Sequence, residues 1–128
     1  MNIDQAKGKN ASTAITKKRF VKLDTAAADG ETVKACDTAG ELAFGVSLFT
    51  VSLSEIGRGK GCSVITDGRV ILECGGTVNL GDKVTTDNVG RAVTAATGNQ
   101  ILGICDENGG GGTGTEIGVA LDRMGVAP

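Results

Sequence analysis

Histidine, tryptophan and tyrosine are absent from the 128 residues, and the only aromatic side chains are Phe20, Phe44 and Phe49. A serine or cysteine nucleophile would therefore lack a histidine base, although lysine and carboxylate bases remain open. A sugar-binding surface would lack the exposed tryptophan and tyrosine rings on which such surfaces usually depend. The composition argues against catalysis without forbidding it, and we predict no catalytic residues.

Long apolar runs are missing as well. No stretch approaches the ~20 apolar residues of a membrane-spanning helix. Residues 1–16 also lack the apolar centre that a signal peptide needs. We therefore expect no membrane partner and synthesis in a cytoplasm, where thiols stay reduced.

The four cysteines do not form a metal-binding pattern. No two of them are spaced C-x-x-C, and without histidine a zinc site would have to collect thiolates from four separate segments. We predict no metal and no cofactor. We interpret these residues as small buried apolar side chains: Cys36, Cys62, Cys74 and Cys105.

Glycine is abundant, with 21 residues, and proline occurs once, at the terminal Pro128. Glycine-rich turns between short runs rich in valine and threonine are typical of β-structure, whereas glycine inside a helix is costly. We predict an all-β fold, a small barrel or sandwich of short strands. The strand-like runs are 20–23, 32–36, 42–53, 63–66, 69–73, 83–86, 91–94, 101–105 and 116–121.

Two hairpins are predicted from turn residues. Asp67-Gly68 separates two β-branched runs, which is the strongest short-range hairpin signal in the chain. The segment from Asp87 to Gly90 separates another such pair of runs. One helical turn is expected between Ser52 and Gly57, with Ser54 as its cap.

The two halves of the sequence also resemble each other. Gly40 and Gly98 are 58 residues apart, as are Gly45 and Gly103, and strand-like runs precede and follow both pairs in the same order. An internal duplication predicts two similar β units, 17–76 and 77–126, packed together. Chance similarity is the alternative, since glycine and threonine are common here.

Charge is distributed unevenly. Residues 1–24 carry six basic and two acidic groups, whereas the rest of the chain carries seven basic and thirteen acidic groups. We predict that 1–16 form a flexible N-terminal arm and that 17–128 form one β domain. A basic arm can dock on an acidic surface, although a merely solvated terminus is the alternative. No nucleic-acid-binding module is recognisable, so we predict no nucleic-acid partner.

Two glycine-rich segments resemble nucleotide-binding loops only superficially. Gly57 to Gly61 contains a lysine, but no serine or threonine follows it, and the next segment is strand-like instead of helical. Gly109 to Gly114 does not lie between a strand and a helix, so it is no dinucleotide fingerprint. Both segments are interpreted as loops.

The order and spacing of several motifs carry a resemblance that spans about residues 12–126. These motifs are the segments 15–24, 30–33, 36–41, 43–47, 81–87, 90–93 and 102–104. Together they resemble the small capsid-decoration, or head-cement, family of tailed bacteriophages. The four cysteines and the long glycine loop depart from the family's pattern.

The resemblance implies a β-rich homotrimer on the outer surface of the virion. Its partner would be the major capsid protein, at threefold or quasi-threefold positions, and the family has no catalytic residues to transfer. From charge and flexibility we place the capsid or subunit contacts on basic residues near the N-terminus and in one polar loop. These residues are Lys7, Lys9, Lys17, Lys18, Arg19, Arg58 and Lys60.

Two other classes of function stay open. One is a ligand- or carbohydrate-binding β module of a phage or cell surface. The other is an enzyme on a small trimeric barrel, which would need carboxylates and lysines with perturbed pKa values clustered at a subunit boundary.

Overall fold

The computed structural model describes residues 6–26, 32–48, 50–56 and 61–128. These residues form ten β-strands and one helix of four residues, α1 (Leu53–Ile56), which confirms the all-β prediction. No helix among them is long and apolar enough to span a membrane. The strands are β1 (Ala6–Ala11), β2 (Phe20–Leu23), β3 (Thr32–Ala35), β4 (Gly45–Ser47), β5 (Gly61–Ile65), β6 (Gly68–Glu73), β7 (Lys83–Thr86), β8 (Ala92–Thr94), β9 (Gln100–Glu107) and β10 (Glu116–Val126).

The first five strands close into a barrel in the order β1-β3-β2-β4-β5, because β5 pairs with β1. The last five form a sheet in the order β6-β10-β9-β7-β8. In the barrel, β1 and β3 run parallel, and the other neighbours are antiparallel. In the second sheet all strand pairs are antiparallel, and a parallel bridge between Cys74 and Ala92 brings its two ends together.

The two sheets have the same topology, as an internal duplication would produce. Strands β1 to β5 correspond in sequence order to β6 to β10, and each pairing in the barrel has a counterpart in the second sheet. Val21 pairs with Gly45 as Val84 pairs with Gly103. The parallel pairing of β1 with β3 recurs as the Cys74–Ala92 bridge. The second sheet is therefore a nearly closed copy of the barrel.

The units begin one strand earlier than the sequence indicated. The chain passes from the barrel to the second sheet at Thr66–Asp67, so β6 belongs to the second unit and not to a first half ending at residue 76. The Asp67-Gly68 hairpin prediction is wrong, because β5 pairs with β4 and β1 whereas β6 pairs with β10. Gly68 does turn the chain, with a φ of 88°, but the turn connects two sheets.

The predicted arm also differs from the structure. Residues 6–11 form β1, which closes the barrel against β5, and Ile15 forms a bridge with Val51. Backbone hydrogen bonds hold this strand in place. Its lysine- and glycine-rich sequence shows no apolar alternation, so the sequence did not indicate a strand here. Residues 1–5 of the predicted arm lie outside the described part.

Two other local predictions have mixed outcomes. The hairpin around Asp87 to Gly90 is confirmed, because β7 pairs with β8. The single helical turn is present, but its cap is Ser52 and not Ser54. The Ser52 hydroxyl accepts the Glu55 N–H at 3.4 Å while the Glu55 carboxylate accepts the Ser52 N–H at 3.0 Å, a capping box.

Two apolar clusters make up the core. The smaller fills the barrel, with Val21, Val33 and Val64 fully buried there. Their neighbours along the strands, such as Phe20 and Ile65, point away from the barrel because side chains alternate along a strand. These outward residues join the larger cluster, which also contains Leu72, Leu102 and Val119 of the second unit, among others. The outer face of the barrel thus completes the core of the second sheet.

Candidate functional site

The two units meet along a seam organised by the backbone of Lys18. Its N–H donates to the Ser47 carbonyl of the barrel at 2.8 Å, and its carbonyl accepts the Glu73 N–H of the second unit at 2.9 Å. Lys18 has a φ of 63°, a left-handed conformation that is unusual for a residue other than glycine. Lys18 thus has this unusual backbone conformation at the position where its N–H and C=O groups bond to different units.

Side-chain ion pairs cross the same seam. The guanidinium of Arg19 donates to both carboxylate oxygens of Glu73, at 3.1 and 3.4 Å. The Lys18 ammonium lies 2.8 Å from the carboxylate of Glu116. Both ion pairs connect the two units. Lys18 and Arg19, which were predicted as capsid or subunit contacts, therefore have partners within their own chain.

A groove of about 340 Å³ runs along this seam, and we call it the seam groove. Its apolar surface comes from both units, with Ile71 exposing 42% of its surface. Charged side chains stand around this apolar surface. The lining residues are Lys18, Val46, Ser47, Leu48, Ile65, Arg69, Val70, Ile71, Glu107 and Gly118.

The charges around the seam groove are paired. Arg69 donates to both oxygens of Asp106, at 2.8 and 3.0 Å, and to Glu107 at 3.3 Å. The hydrogen bonds from Asp106 and then Glu107 raise the pKa of Arg69 above its ordinary value. Lys18 is likewise paired with Glu116, so each of these two cations has a carboxylate partner within the chain.

The other predicted contact residues are more dispersed. Lys7 and Lys9 lie in β1, opposite Val64 and Cys62. Lys17 is exposed, and its backbone N–H donates to the Thr50 hydroxyl at 3.2 Å. Arg58 and Lys60 lie outside the described residues. Of the predicted contact residues whose side chains the structure describes, Lys18 and Arg19 lie at the seam.

Arg123 is a cross-unit residue that the sequence did not reveal. From β10 of the second unit, its guanidinium donates to the carbonyls of Ala43, Phe44 and Thr66, the Ala43 bond being 3.2 Å long. An arginine in an otherwise alternating strand carries no local signal of such a role. Only the packing of the two units places these carbonyls within its reach.

The described thiols are poorly suited to chemistry. Cys36, Cys74 and Cys105 are free and buried. Burial raises the pKa of Cys36 to about 12 and raises the pKa of Cys74 and Cys105 as well. A thiol that stays protonated is a weak nucleophile and a weak metal ligand. Within the described ranges no group of three or more acidic or cysteine side chains could hold a metal ion.

Comparisons with known proteins find a similar fold among solved structures. No protein-family model matches the chain, and no curated protein matches its sequence. Among solved structures, the fold is similar to the crystal structure of the head fiber gp8.5 N base of bacteriophage phi29. The TM-score is 0.71, covering 96% of this chain and 98% of that chain, at 14% sequence identity. At that identity the similarity shows a shared fold, and membership of the decoration family stays a prediction.

Proposed function

We propose that this chain is a structural protein of a bacteriophage virion that sits on the outer surface of the head. The observation that carries the proposal is the fold similarity to the head fiber gp8.5 N base of phage phi29, which extends over nearly the full length of both chains. The motif order that resembles head-decoration proteins supports the same role independently. In this role the chain binds the major capsid protein and stabilises the shell.

The proposed assembly is a homotrimer at threefold or quasi-threefold positions of the head. A chain with three phenylalanines and no larger aromatic side chain has little aromatic surface to bury, so contacts between subunits would add stability. Three copies of each weak contact to the shell add through avidity. Because the protein would bind the assembled lattice and not its separated subunits, it would stabilise the shell by mass action.

The residues proposed to face the capsid are the basic residues singled out from the sequence. Exposed Lys17 is the best placed of the described basic residues. Lys18 and Arg19 have internal ion-pair partners that they would have to leave. Lys7, Lys9, Arg58 and Lys60 remain part of the proposal on charge alone.

The experiment that tests the proposal has two steps. Light scattering on the purified protein measures its mass in solution, and a trimer is expected. Co-sedimentation with undecorated heads of the source phage then measures binding, and saturable recovery of the protein in the pellet is expected. A monomer that stays in the supernatant would contradict the proposal, and ligand screening would then test the binding-module alternative.

A further inference from the structure

Asn108 is followed directly by Gly109, at the start of the glycine-rich loop. The other five asparagines of the chain precede isoleucine, alanine, leucine, valine and glutamine. Asparagine is among the thermally labile residues, because the next backbone nitrogen can attack its side-chain carbonyl carbon. Glycine has no Cβ to obstruct that approach. Asn108 is therefore the asparagine whose sequence neighbour favours this attack most.

The peptide group between these two residues is unrestrained by hydrogen bonds. Asn108 is exposed and has a φ of 61°, a left-handed conformation that asparagine tolerates better than most residues. Among the described residues, neither its side-chain amide nor its backbone carbonyl has a hydrogen-bond partner, and the Gly109 N–H has none. Attack requires this peptide group to rotate toward the side chain. No hydrogen bond to the described part of the chain has to break for that rotation.

The packing of the loop requires glycine at position 109. A Cβ there would collide with the backbone of Asn79 and Leu80. The next residue is tied to the same segment, because the Gly110 N–H donates to the Val78 carbonyl at 2.7 Å. A larger residue at position 109 would slow the attack, but the fold does not admit one.

Two other asparagines are held more firmly. The side-chain oxygen of Asn99 accepts the Ala96 N–H at 2.8 Å, which fixes the group that would be attacked. After Asn88, the nitrogen that would attack belongs to Val89. Its N–H donates to the Asp87 carboxylate at 2.9 Å, which holds that nitrogen away from the Asn88 side chain.

We propose that Asn108 is a site of spontaneous covalent modification, which converts it to aspartate and isoaspartate through a cyclic succinimide. The Gly109 nitrogen bonds to the side-chain carbonyl carbon of Asn108 and gives up its proton, and the side-chain nitrogen leaves as ammonia. Water then opens the five-membered ring at either carbonyl. Because the two reacting groups are neighbours in one chain, the reaction needs water and no enzyme. It is independent of the proposed function.

The modification would change both the charge and the conformation of this loop. Either product adds a carboxylate directly after Asp106 and Glu107, which already share the guanidinium of Arg69. Isoaspartate also lengthens the main chain by one methylene group. The added length falls just before the hydrogen bond from Gly110 to Val78, so we expect that bond to be lost.

The test follows purified wild-type protein during incubation at slightly alkaline pH, where loss of the backbone amide proton is favoured. Peptide mass spectrometry measures deamidation at each asparagine, and an isoaspartate-specific methyltransferase labels the rearranged product. Asn108 should convert faster than every other asparagine, with isoaspartate among its products. Conversion at Asn108 that is no faster than at the other asparagines would overturn the proposal.

A matched variant separates the role of the structure from that of the dipeptide. Val89→Gly creates a second asparagine–glycine pair at an exposed position, where the backbone N–H is bonded to the Asp87 carboxylate. In the folded variant, Asn88 should convert more slowly than Asn108 of the same molecule. In denaturant the two rates should become similar. Equal rates in the folded protein, or the same difference in denaturant, would show that the free peptide group at Gly109 does not direct the reaction.

Discussion

Gly45 and Gly103 occupy the same place in the two units. A Cβ at Gly45 would collide with the carbonyl oxygen of Ile65 and the side chain of Val64, and a Cβ at Gly103 would collide with the carbonyl oxygen of Ala120 and the side chain of Val119. Strands β4 and β9 each approach the following strand of their unit too closely for any side chain. The shared restriction explains why these glycines recur 58 residues apart.

Alanine at either of these glycines should destabilise the protein by a similar amount. We expect Gly45→Ala and Gly103→Ala each to lower the free energy of unfolding by about 2 kcal/mol, because the backbone must shift to admit the methyl group. Urea denaturation measures both. Gly112→Ala is the matched control, since a Cβ there meets nothing within 4 Å, and its effect should be within about 0.5 kcal/mol.

The Arg19–Glu73 pair should contribute to stability, whereas Lys17 should not. Both side chains of the pair are about three-quarters buried, and the guanidinium binds the carboxylate through two nitrogens. Arg19→Ala should therefore lower the free energy of unfolding by about 1 kcal/mol. Lys17→Ala, at an exposed neighbouring position, should have no measurable effect in the same denaturation experiment. Equal effects would mean that Arg19 is no more structural than Lys17.

Thr85 offers a stabilising substitution. Its hydroxyl oxygen is buried and has no hydrogen-bond partner, whereas the Thr86 hydroxyl next to it donates to the Asp87 carbonyl at 2.9 Å. Thr85→Val should raise the free energy of unfolding by about 1 kcal/mol, because an unsatisfied buried group is replaced by a methyl group. Thr86→Val should lower it by about the same amount. Thermal unfolding of both variants distinguishes these signs.

The Lys22–Asp37 ion pair should make the stability of the protein depend on pH in the acidic range. Lys22 donates to Asp37 at 2.7 Å, which holds the pKa of that carboxyl below its ordinary value of 3.8. A carboxyl with a lowered pKa in the folded state stabilises the protein above its unfolded-state pKa. The contribution disappears as pH falls through the folded-state value. Wild type should therefore exceed Asp37→Asn in urea midpoint at neutral pH. The two midpoints should approach each other as the pH falls through that value, and a constant difference would contradict the assignment.

The buried thiols should be protected from reagents. In a Cys62→Ser variant the remaining cysteines are Cys36, Cys74 and Cys105, all buried and with raised pKa values. A chromogenic disulfide reagent at slightly alkaline pH should react with none of them in the folded protein and with all three in denaturant. Rapid reaction of any thiol in the folded state would show that its cavity opens locally.

The strand content was predictable because β-branched runs and turn residues specify it locally. The β1 strand was missed because Lys7, Gly8 and Lys9 show no apolar alternation, and its place is set by bonds to β5. The Asp67-Gly68 turn gave a wrong hairpin prediction because the strands on its two sides do not pair with each other. Its local chemistry is that of a hairpin, but β10, about 50 residues later in the chain, supplies the partner of β6.

The candidate site was less predictable than the fold. Charge alone placed Lys18 and Arg19 on a contact surface, yet their carboxylate partners, Glu116 and Glu73, lie far along the chain. The seam groove likewise has lining residues from both units. A single sequence contains no direct signal for either feature, since both arise when the two units pack together.

The two units have matching outer faces, and the barrel face is the one that the other unit covers. The barrel buries Phe20, Val46 and Ile65 against the second sheet, and a third unit could add to the matching face of the second in the same way. The pairing register puts Lys83, Ile104 and Ala120 at those matching positions, and Lys83 is exposed. An ammonium group where the barrel carries a phenyl ring would have to be desolvated by the next copy. The face of the second sheet that carries Lys83 is therefore poorly suited to bury another apolar surface.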